Sequence, residues 1–352
     1  MVAIAEAVGY SLCSETVWRH GAVAKGPATI RDVARAAELS VASVSRVLNG
    51  HDNVHPNTRQ KVLDAVQALG YVPNAAARSL STAKSHAIGV VLPDLHGEFF
   101  GELVRGMDKA ANEHGYMLLL SNMHADSFLA GQAMGAMRGR VDGLIVMAPQ
   151  LSSSELNLAL PPGLPAVLVN CPDGTGHHNL RIDNRGGVML IIRHLLATGR
   201  KRIVHLSGDP HNLDAAERAR AYVDALASLA PDMPPRVLQG DFTDESGERL
   251  VQQMLSDGSV FDAILAANDM MALGALQALR TVGVTVPAQV AVTGFDDVPL
   301  ARYLGLTTVR VDMVGIGARA VSRLIEEIEG PASAPRLERL PPALIARATT
   351  GG

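Results

Sequence analysis

Cysteine is nearly absent from this sequence: Cys13 and Cys171 are the only two in 352 residues and lie far apart, which excludes a disulfide framework or a cysteine-built zinc site and fits a reducing compartment. No apolar run approaches the roughly 18 residues of a membrane span. The N-terminal MVAIAEAVGY is interrupted by Glu6 and Gly9, with no basic start and no sustained apolar stretch, so no secretory signal is read and a cytoplasmic location is expected. Catalytic signatures are missing too. There is no Gly-x-Ser-x-Gly, no phosphate-binding P-loop and no His/Glu pair at metal spacing, so neither an enzyme nor a cofactor or metal is expected. His177, His178 and His205 have no nucleophile partner. Charged residues are few, 19% against 47% hydrophobic, which describes a globular chain long enough for two or three domains and a large core.

The net charge of -4 looks wrong for a nucleic-acid partner until it is divided. Residues 28–84 carry seven Lys/Arg against four Asp/Glu, a balance of +3, while residues 85–352 carry 22 against 29, a balance of -7. Positive charge is concentrated where a phosphate-contacting segment would need it. There the pattern is helical. Ile30, Val33, Ala34 and Ala37 recur at helical spacing, with Thr29 as N-cap and Asp32 completing a near capping box, which predicts a first helix of about eight residues. Glu38-Leu39-Ser40 is a short connection, and Ser40 caps a second helix, Val41 to Leu48, with Val44, Val47 and Leu48 inward. Pro56 opens a third helix with Val62, Leu63, Val66 and Leu69 as its buried stripe and Gly70 as its stop. On periodicity alone this is equally a plain helical subdomain. The second helix shows Val41, Ala42, Ser43, Ser45 and Arg46 outward, a small and hydroxylated face with one Arg that fits a major groove. His51 and His55 flank a loop without a third ligand, so loop polarity is preferred to a metal site.

TIRDVARAAELSVASVSRVLNG closely resembles the helix-turn-helix of the lactose-repressor (LacI/GalR) family, and GYVPNAAARSLST resembles that family's hinge; the resemblance continues to about Arg347. It implies that Val41 and Ala42 discriminate base sequence, with Ser43, Ser45 and Arg46 adding base and phosphate contacts. Asn49 and Asn57 fit positions that bind backbone phosphate, and Thr29 and Ser40 join them as DNA-binding candidates. Asn74 to Ser81, including Ala77 and Arg78, is a helix too short to stand alone, expected to fold against its dimer mate in the minor groove. Leu80 matches the family's apolar wedge at a central base step, often CpG.

From Ala87 the pattern alternates. AIGVVLPD, YMLLLSN, DGLIVMAP, AVLVNCP, RIVHLSGD, AILAAND and VAVTGFDD read as strands, with helices at Phe99–Glu113, Arg185–Ala197, Asp214–Leu229, Glu245–Ser256 and Met270–Val282. Such alternation predicts parallel sheets covered by helices, with ligand groups at the strand ends. Roughly eleven or twelve strands predict two similar lobes. The resemblance implies the same: an N-terminal all-α head plus hinge helix, then a two-lobed periplasmic-binding-protein-like (type I) α/β core crossed three times by the chain. Asp94, Asn170, Arg218, Asn268 and Asp296 are the candidate cleft residues, suited to a polyhydroxylated ligand because carboxylates, amides and Arg together donate and accept. In the family pattern Asn170, Arg218, Asn268 and Asp296 match effector-contacting positions. Phe99 and Phe100 either stack on a sugar face or pack in the core. Asp269 and Asp297 read as caps, and Asp183 as a crossover residue. Ala216 stands where relatives often carry Arg, Ala221 replaces a common Gly, and His96-Gly97-Glu98 replaces a common Asn-Pro, so no familiar sugar is assumed.

The expected divisions are an extension at 1–27, the head at 28–73, hinge and linker at 74–85, and the core at 86–348. Within the core, an N-subdomain takes about 86–183 and 312–336, and a C-subdomain about 184–311 and 337–348. Residues 1–27 are either a disordered extension or an upstream-start artefact. Gly315-Ile-Gly317-Ala-Arg-Ala320 imitates a dinucleotide fingerprint, but the preferred reading is a glycine-started helix at a dimer interface. The expected function is a homodimeric transcriptional regulator, expected to be a repressor, on a near-palindromic double-stranded operator, controlled by a carbohydrate-like effector. LIARATTGG shows no heptad run for tetramers. The alternative is a sugar-binding transport or sensor protein without DNA function.

Overall fold

The first helix begins where the sequence supplies its own cap: the Asp32 carboxylate accepts from the Thr29 backbone N–H at 3.0 Å and from the Thr29 hydroxyl at 2.6 Å. The computed structural model describes residues 28–48, 53–72, 84–95, 97–124, 126–330 and 334–351. Its opening helices are α1 (Ile30–Ala36), α2 (Val41–Leu48) and α3 (Pro56–Leu69). Between α1 and α2 the chain turns at Glu38, whose φ is 55°. Ser40 Oγ accepts from the Ser43 N–H at 3.1 Å and so starts α2. His55 caps α3, its Nδ1 accepting from the Asn57 N–H at 3.3 Å, and Gly70 ends that helix at a left-handed φ of 57°. His55 is thus a capping residue; His51 lies outside the described residues.

Val33, Ala34, Ala37, Val44, Val47, Val62 and Ala65 form the core of this three-helix unit. Leu63 and Leu69 are not part of it. They are 47% and 39% exposed, a correction to the expected stripe. Two short partner helices cover only a narrow strip of α3, and the buried positions of that helix are Val62 and Ala65, with Val66 packed beside them.

The chain divides into two compact units, Met1–Ser81 and Thr82–Gly352. In the second, a six-stranded parallel sheet runs in the order β11-β5-β4-β3-β1-β2. Its strands are β1 (Ala87–Leu92), β2 (Met117–Asn122), β3 (Gly143–Met147), β4 (Ala166–Val169), β5 (His178–Ile182) and β11 (Leu337–Leu340). Packed on it are α4 (Glu98–Glu113), α5 (Ser127–Met137), α6 (Ser153–Ala159) and α12 (Met313–Glu329). Every residue of β1, β3 and β4 is buried, as a parallel strand covered on both faces must be. A second parallel sheet, in the order β7-β6-β8-β9, consists of β6 (Ile203–Ser207), β7 (Val237–Gln239), β8 (Ala263–Ala266) and β9 (Ala291–Thr293). With it go α7 (Asn184–Ala197), α8 (Leu213–Leu229), α9 (Asp244–Ser256), α10 (Asp269–Thr281) and α11 (Pro299–Tyr303), and the antiparallel pair β10 (Thr308–Arg310) and β12 (Ala343–Ile345).

The chain crosses between lobes three times, after β5, before α12 and after β11. Asp183 and Asp312 serve the first two crossings alike. Each caps the helix that follows, accepting from Gly186 N at 2.9 Å and Gly315 N at 3.0 Å. The strand Leu337–Leu340 differs from expectation, since it extends the first sheet and does not belong with the second lobe. Its sequence, Leu-Glu-Arg-Leu, is an edge strand with polar residues and no apolar run, which hides it from hydropathy.

Glycines set how closely paired helices approach. A Cβ at Gly106 of α4 would collide with the Val314 carbonyl, and one at Gly317 of α12 with the Leu103 carbonyl. The Gly315-x-Gly317 pair therefore splits its work between a cap and a helix crossing inside one chain. The second lobe repeats the device: Gly247 of α9 meets the Met271 carbonyl and Gly274 of α10 meets the Asp244 carbonyl.

Candidate functional site

The helical unit presents α2 by one face. Val41 is 42% exposed, Ala42 and Arg46 are exposed, and Ser43 and Ser45 are half-buried at its side. Ser40 and Ser43 also bond to one another, their hydroxyls 2.9 Å apart, so both serve the cap. Thr29 and Asn57 are exposed at the starts of α1 and α3. Asn49, Asn74, Ala77, Arg78 and Leu80 lie outside the described residues.

Strand ends and helix starts of the second unit enclose a cavity of about 450 Å³. Six of the seven expected cleft residues line it: Asp94, Phe99, Phe100, Arg218, Asn268 and Asp296. Asn170 does not. At a φ of 47° its side chain turns to β5 and accepts from the Ile182 N–H at 3.0 Å, holding the start of the first crossing.

Arg218 is the centre of the floor. Its Nε donates to Asn184 Oδ1 at 2.8 Å and its Nη1 to the Ala267 carbonyl at 2.6 Å, while the guanidinium lies 3.8 Å from the centre of the Phe295 ring. Its Nη2 stands 3.6 Å from Asp296 Oδ1, a loose pair for two groups that are both buried. Burial raises the Asp296 pKa to about 7, against the pull of Arg218 and with the push of Asp214. Burial outweighs the pair because the guanidinium is shared among several acceptors. Asp214, buried beside it, is also raised by burial, offset by Arg218 and by the Asn184 amide that donates to it at 2.8 Å.

Asn184 further donates to Glu217 at 2.9 Å, and Glu217 pairs with buried Arg181, which reaches Asp173 at 3.0 Å. A polar chain thus runs from the cavity floor along the first crossing. Asn268 acts structurally at the rim: Oδ1 caps α10 through the Met271 N–H, and Nδ2 donates to the Phe242 carbonyl at 2.9 Å. Asp269 is not the cap. Its carboxylate holds the Val298 N–H at 2.9 Å and the Thr308 hydroxyl at 2.5 Å, and burial raises its pKa well above the usual range. Asp297 pairs with Arg310 and Arg347, each at 2.7 Å, and so anchors the C-terminal segment. Phe99 and Phe100 meet edge to face with centroids 5.3 Å apart; both are half-buried and both reach the cavity.

Sequence reasoning missed Asn212, Asp241, Phe242 and Thr243, which line the cavity from the loops after β6 and β7, and Asp214 in the first turn of α8. The signal was present after β6, where Ser-Gly-Asp-Pro-His-Asn follows an apolar run. It was absent after β7, only three residues long. Among the described residues no group of His, Cys, Asp or Glu can hold a metal ion, and no helix is long and apolar enough to cross a membrane.

A model of the periplasmic binding protein-like domain matches residues 192–350, and the model of the lacI family of bacterial regulatory proteins matches residues 29–74. GalS, an HTH-type transcriptional regulator of Salmonella typhimurium, is 36% identical over 326 residues, 91% of this chain and 95% of its own length. The chain belongs to the lacI family of bacterial regulatory proteins. Other lacI-family relatives include catabolite control protein A of Priestia megaterium, 34% identical over 84% of this chain and 91% of its own. The lac repressor dimer, solved bound to operator and the anti-inducer ONPF, superposes with a TM-score of 0.84 at 31% identity, covering 92% of this chain and 99% of that one. The regulator CelR in complex with cellobiose gives 0.67 at 29% identity, with 92% and 99% covered. As a lacI-family member the chain is a regulatory protein and not an enzyme.

Proposed function

We propose that this lacI-family chain is a homodimeric transcriptional repressor of the bacterial cytoplasm that binds a near-palindromic operator and releases it when a carbohydrate-like effector fills the cavity. One observation carries the reading: a single chain joins a helical head with an exposed, small-residue α2 face to a cleft built on a buried Arg–Asp pair. Val41 and Ala42 read base edges, Arg46 reads guanine or phosphate, and Ser43 and Ser45 add short polar contacts. Thr29, Ser40, Asn49 and Asn57 contact backbone phosphates, which orient the head. Asn74, Ala77, Arg78 and Leu80 form the hinge contact in the minor groove, Leu80 wedging a central step. Arg218 and Asp296 hold the effector, with Asp94, Phe99, Phe100 and Asn268 around it, and Asn170 acts through the crossing. The lac repressor neighbour is a dimer on operator, which supports the same assembly here.

Selection of duplexes from a random pool by the full chain tests this reading. Enrichment of a near-palindrome whose binding is lost in Arg46→Ala is expected. Recovery of unenriched DNA would favour a sugar-binding protein without DNA function.

A further inference from the structure

Resting on the reading of the cavity as the effector site, we propose that the effector is a cation: a protonated amine on a hydroxylated scaffold, an amino sugar or amino polyol, with its ammonium against Asp296. The walls supply negative charge far in excess of positive. Asp214 and Asp296 form the floor, and Asp94, Glu98, Asp209, Asp241 and Asp244 stand around them. Arg218 and His124 are the basic lining residues among those described, and Arg218 already spends Nε on Asn184, Nη1 on Ala267 and its face on Phe295, which leaves Nη2 beside Asp296. Asp296 Oδ1 is buried and accepts no hydrogen bond, with Arg218 as its loose neighbour at 3.6 Å. A buried carboxylate oxygen without a donor is a vacancy for an N–H. Burial raises the pKa of both floor acids, so the excess of negative charge lies in the five acids around them, and an ammonium against Asp296 favours its ionised form.

An anionic ligand would have to use the helix starts that point here, those of α4, α8, α9 and α10, each worth about +0.5 charge. Three of those starts, α8, α9 and α10, are filled by side-chain caps, and α4 begins at Gly97 without one. Asn212 accepts from Asp214 N and Ala215 N, Thr243 from Ser246 N, and Asn268 from Met271 N. The first turns of all four helices carry acids, Glu98, Asp214, Asp244 and Asp269, and Glu98 also caps Leu300 N of α11. About +2 from four helix ends does not balance this wall. A metal ion is no substitute, because these carboxylates do not converge as a ligand set. An organic ammonium, which spreads its charge over a scaffold that can also bond to Gln150 and Thr243, fits the spread-out acids.

The test uses the full chain and matched probes: D-glucosamine, D-galactosamine and D-mannosamine against the neutral parent sugars, N-acetyl-D-glucosamine, D-glucuronate and D-galacturonate. Binding is followed by calorimetry and by the thermal midpoint, and operator release is measured in parallel. At least one amine is expected to bind about 10-fold or more tighter than its neutral parent, one charge-assisted hydrogen bond's worth. The acids should not bind. Asp296→Asn should abolish the preference, and Asp241→Asn at the rim should reduce it a few-fold without the risk of disturbing the floor. Equal or tighter binding of a neutral or acidic congener, no binding of any amine at millimolar concentration, or an intact preference in Asp296→Asn overturns the proposal. A neutral sugar that binds and releases operator would overturn the charge assignment alone; amine-selective binding by a chain that ignores DNA would overturn the repressor reading alone.

Discussion

Replacing Asp296 by Asn is expected to stabilise the ligand-free protein, and by an amount that grows with pH. The carboxyl is fully buried and its pKa is raised from 3.8 to about 7, first by burial and then by Asp214, with Arg218 opposing. Between those two values the folded chain holds a proton that the unfolded chain has released, so stability falls as pH rises through this window. At about 1.4 kcal/mol per pH unit, the carboxylate costs the fold about 4 kcal/mol above pH 7. Complete burial means that solvent screening does not discount the figure. The Asn side chain is neutral in both states and removes the cost, while Arg218 keeps Asn184 Oδ1, the Ala267 carbonyl and the Phe295 face. Urea unfolding followed by far-ultraviolet circular dichroism, repeated from pH 4 to pH 8, should show the variant and wild type together at the acid end and separating by up to about 4 kcal/mol at the basic end. Parallel profiles, or a variant less stable at pH 8, would refute the reasoning. The strain is functional in its implication: a site that is unstable when empty gains most when a complementary charge fills it.

His205 should give the opposite slope. It is fully buried with its pKa lowered to about 4, chiefly by burial, so between about 4 and 6.5 the unfolded chain takes up the proton and stability falls with falling pH, by up to about 3 kcal/mol. In Asp296→Asn this acid-side loss should show more strongly, opposed now by Asp214 and Asp269, and it should shrink in Asp296→Asn/His205→Phe. Along α4, Gly101→Ala should be neutral or stabilising by up to about 1 kcal/mol, since open space surrounds it, whereas Gly106→Ala should destabilise by about 1–3 kcal/mol because the Val314 carbonyl blocks the new methyl; equal effects in thermal unfolding would refute the close crossing. Arg218→Ala should keep operator affinity within a few-fold but abolish the ligand response, and an unchanged dose-response in a mobility-shift titration would place the effector elsewhere. Ala substitution of the Arg46 side chain should cost about 1–3 kcal/mol of operator affinity, the worth of a base-reading Arg, with ligand-induced stabilisation of the core unaltered.

Much of this architecture was legible because burial and periodicity coincide. α2 spans Val41–Leu48 as read from Ser40 and the Val44/Val47 spacing, and the five core helices read from the sequence begin and end within a residue of those observed. Strands buried on both faces announce themselves as apolar runs. Two of the four edge strands of the parallel sheets do not: β7 and β11 alternate exposed and half-buried residues and have no run to detect. Leu63 and Leu69 were misassigned because helical period alone does not say how wide a partner covers the helix. At the cleft, residue type at a strand end identified Asp296, and an early helix turn with the family resemblance identified Arg218, but side-chain direction is a tertiary property. Asn170 and Asp269 occupy comparable strand-end positions and turn away from the cavity, drawn by unsatisfied backbone donors at Ile182 and Val298. The acidity of the wall was equally hidden, since Asp209 and Asp241 in the loops after β6 and β7 and Asp214 and Asp244 at the starts of α8 and α9 come together only in the folded lobe.

Coupling between the two functions is measured most directly by the operator affinity of the full chain, read by fluorescence anisotropy on a selected duplex, with and without whichever probe sugar most raises the core's thermal midpoint. The expected result is a weakening of about 5- to 150-fold, the usual range for allosteric coupling, that disappears in Arg218→Ala. A sugar that stabilises the core yet leaves operator affinity unchanged would contradict ligand-controlled DNA binding.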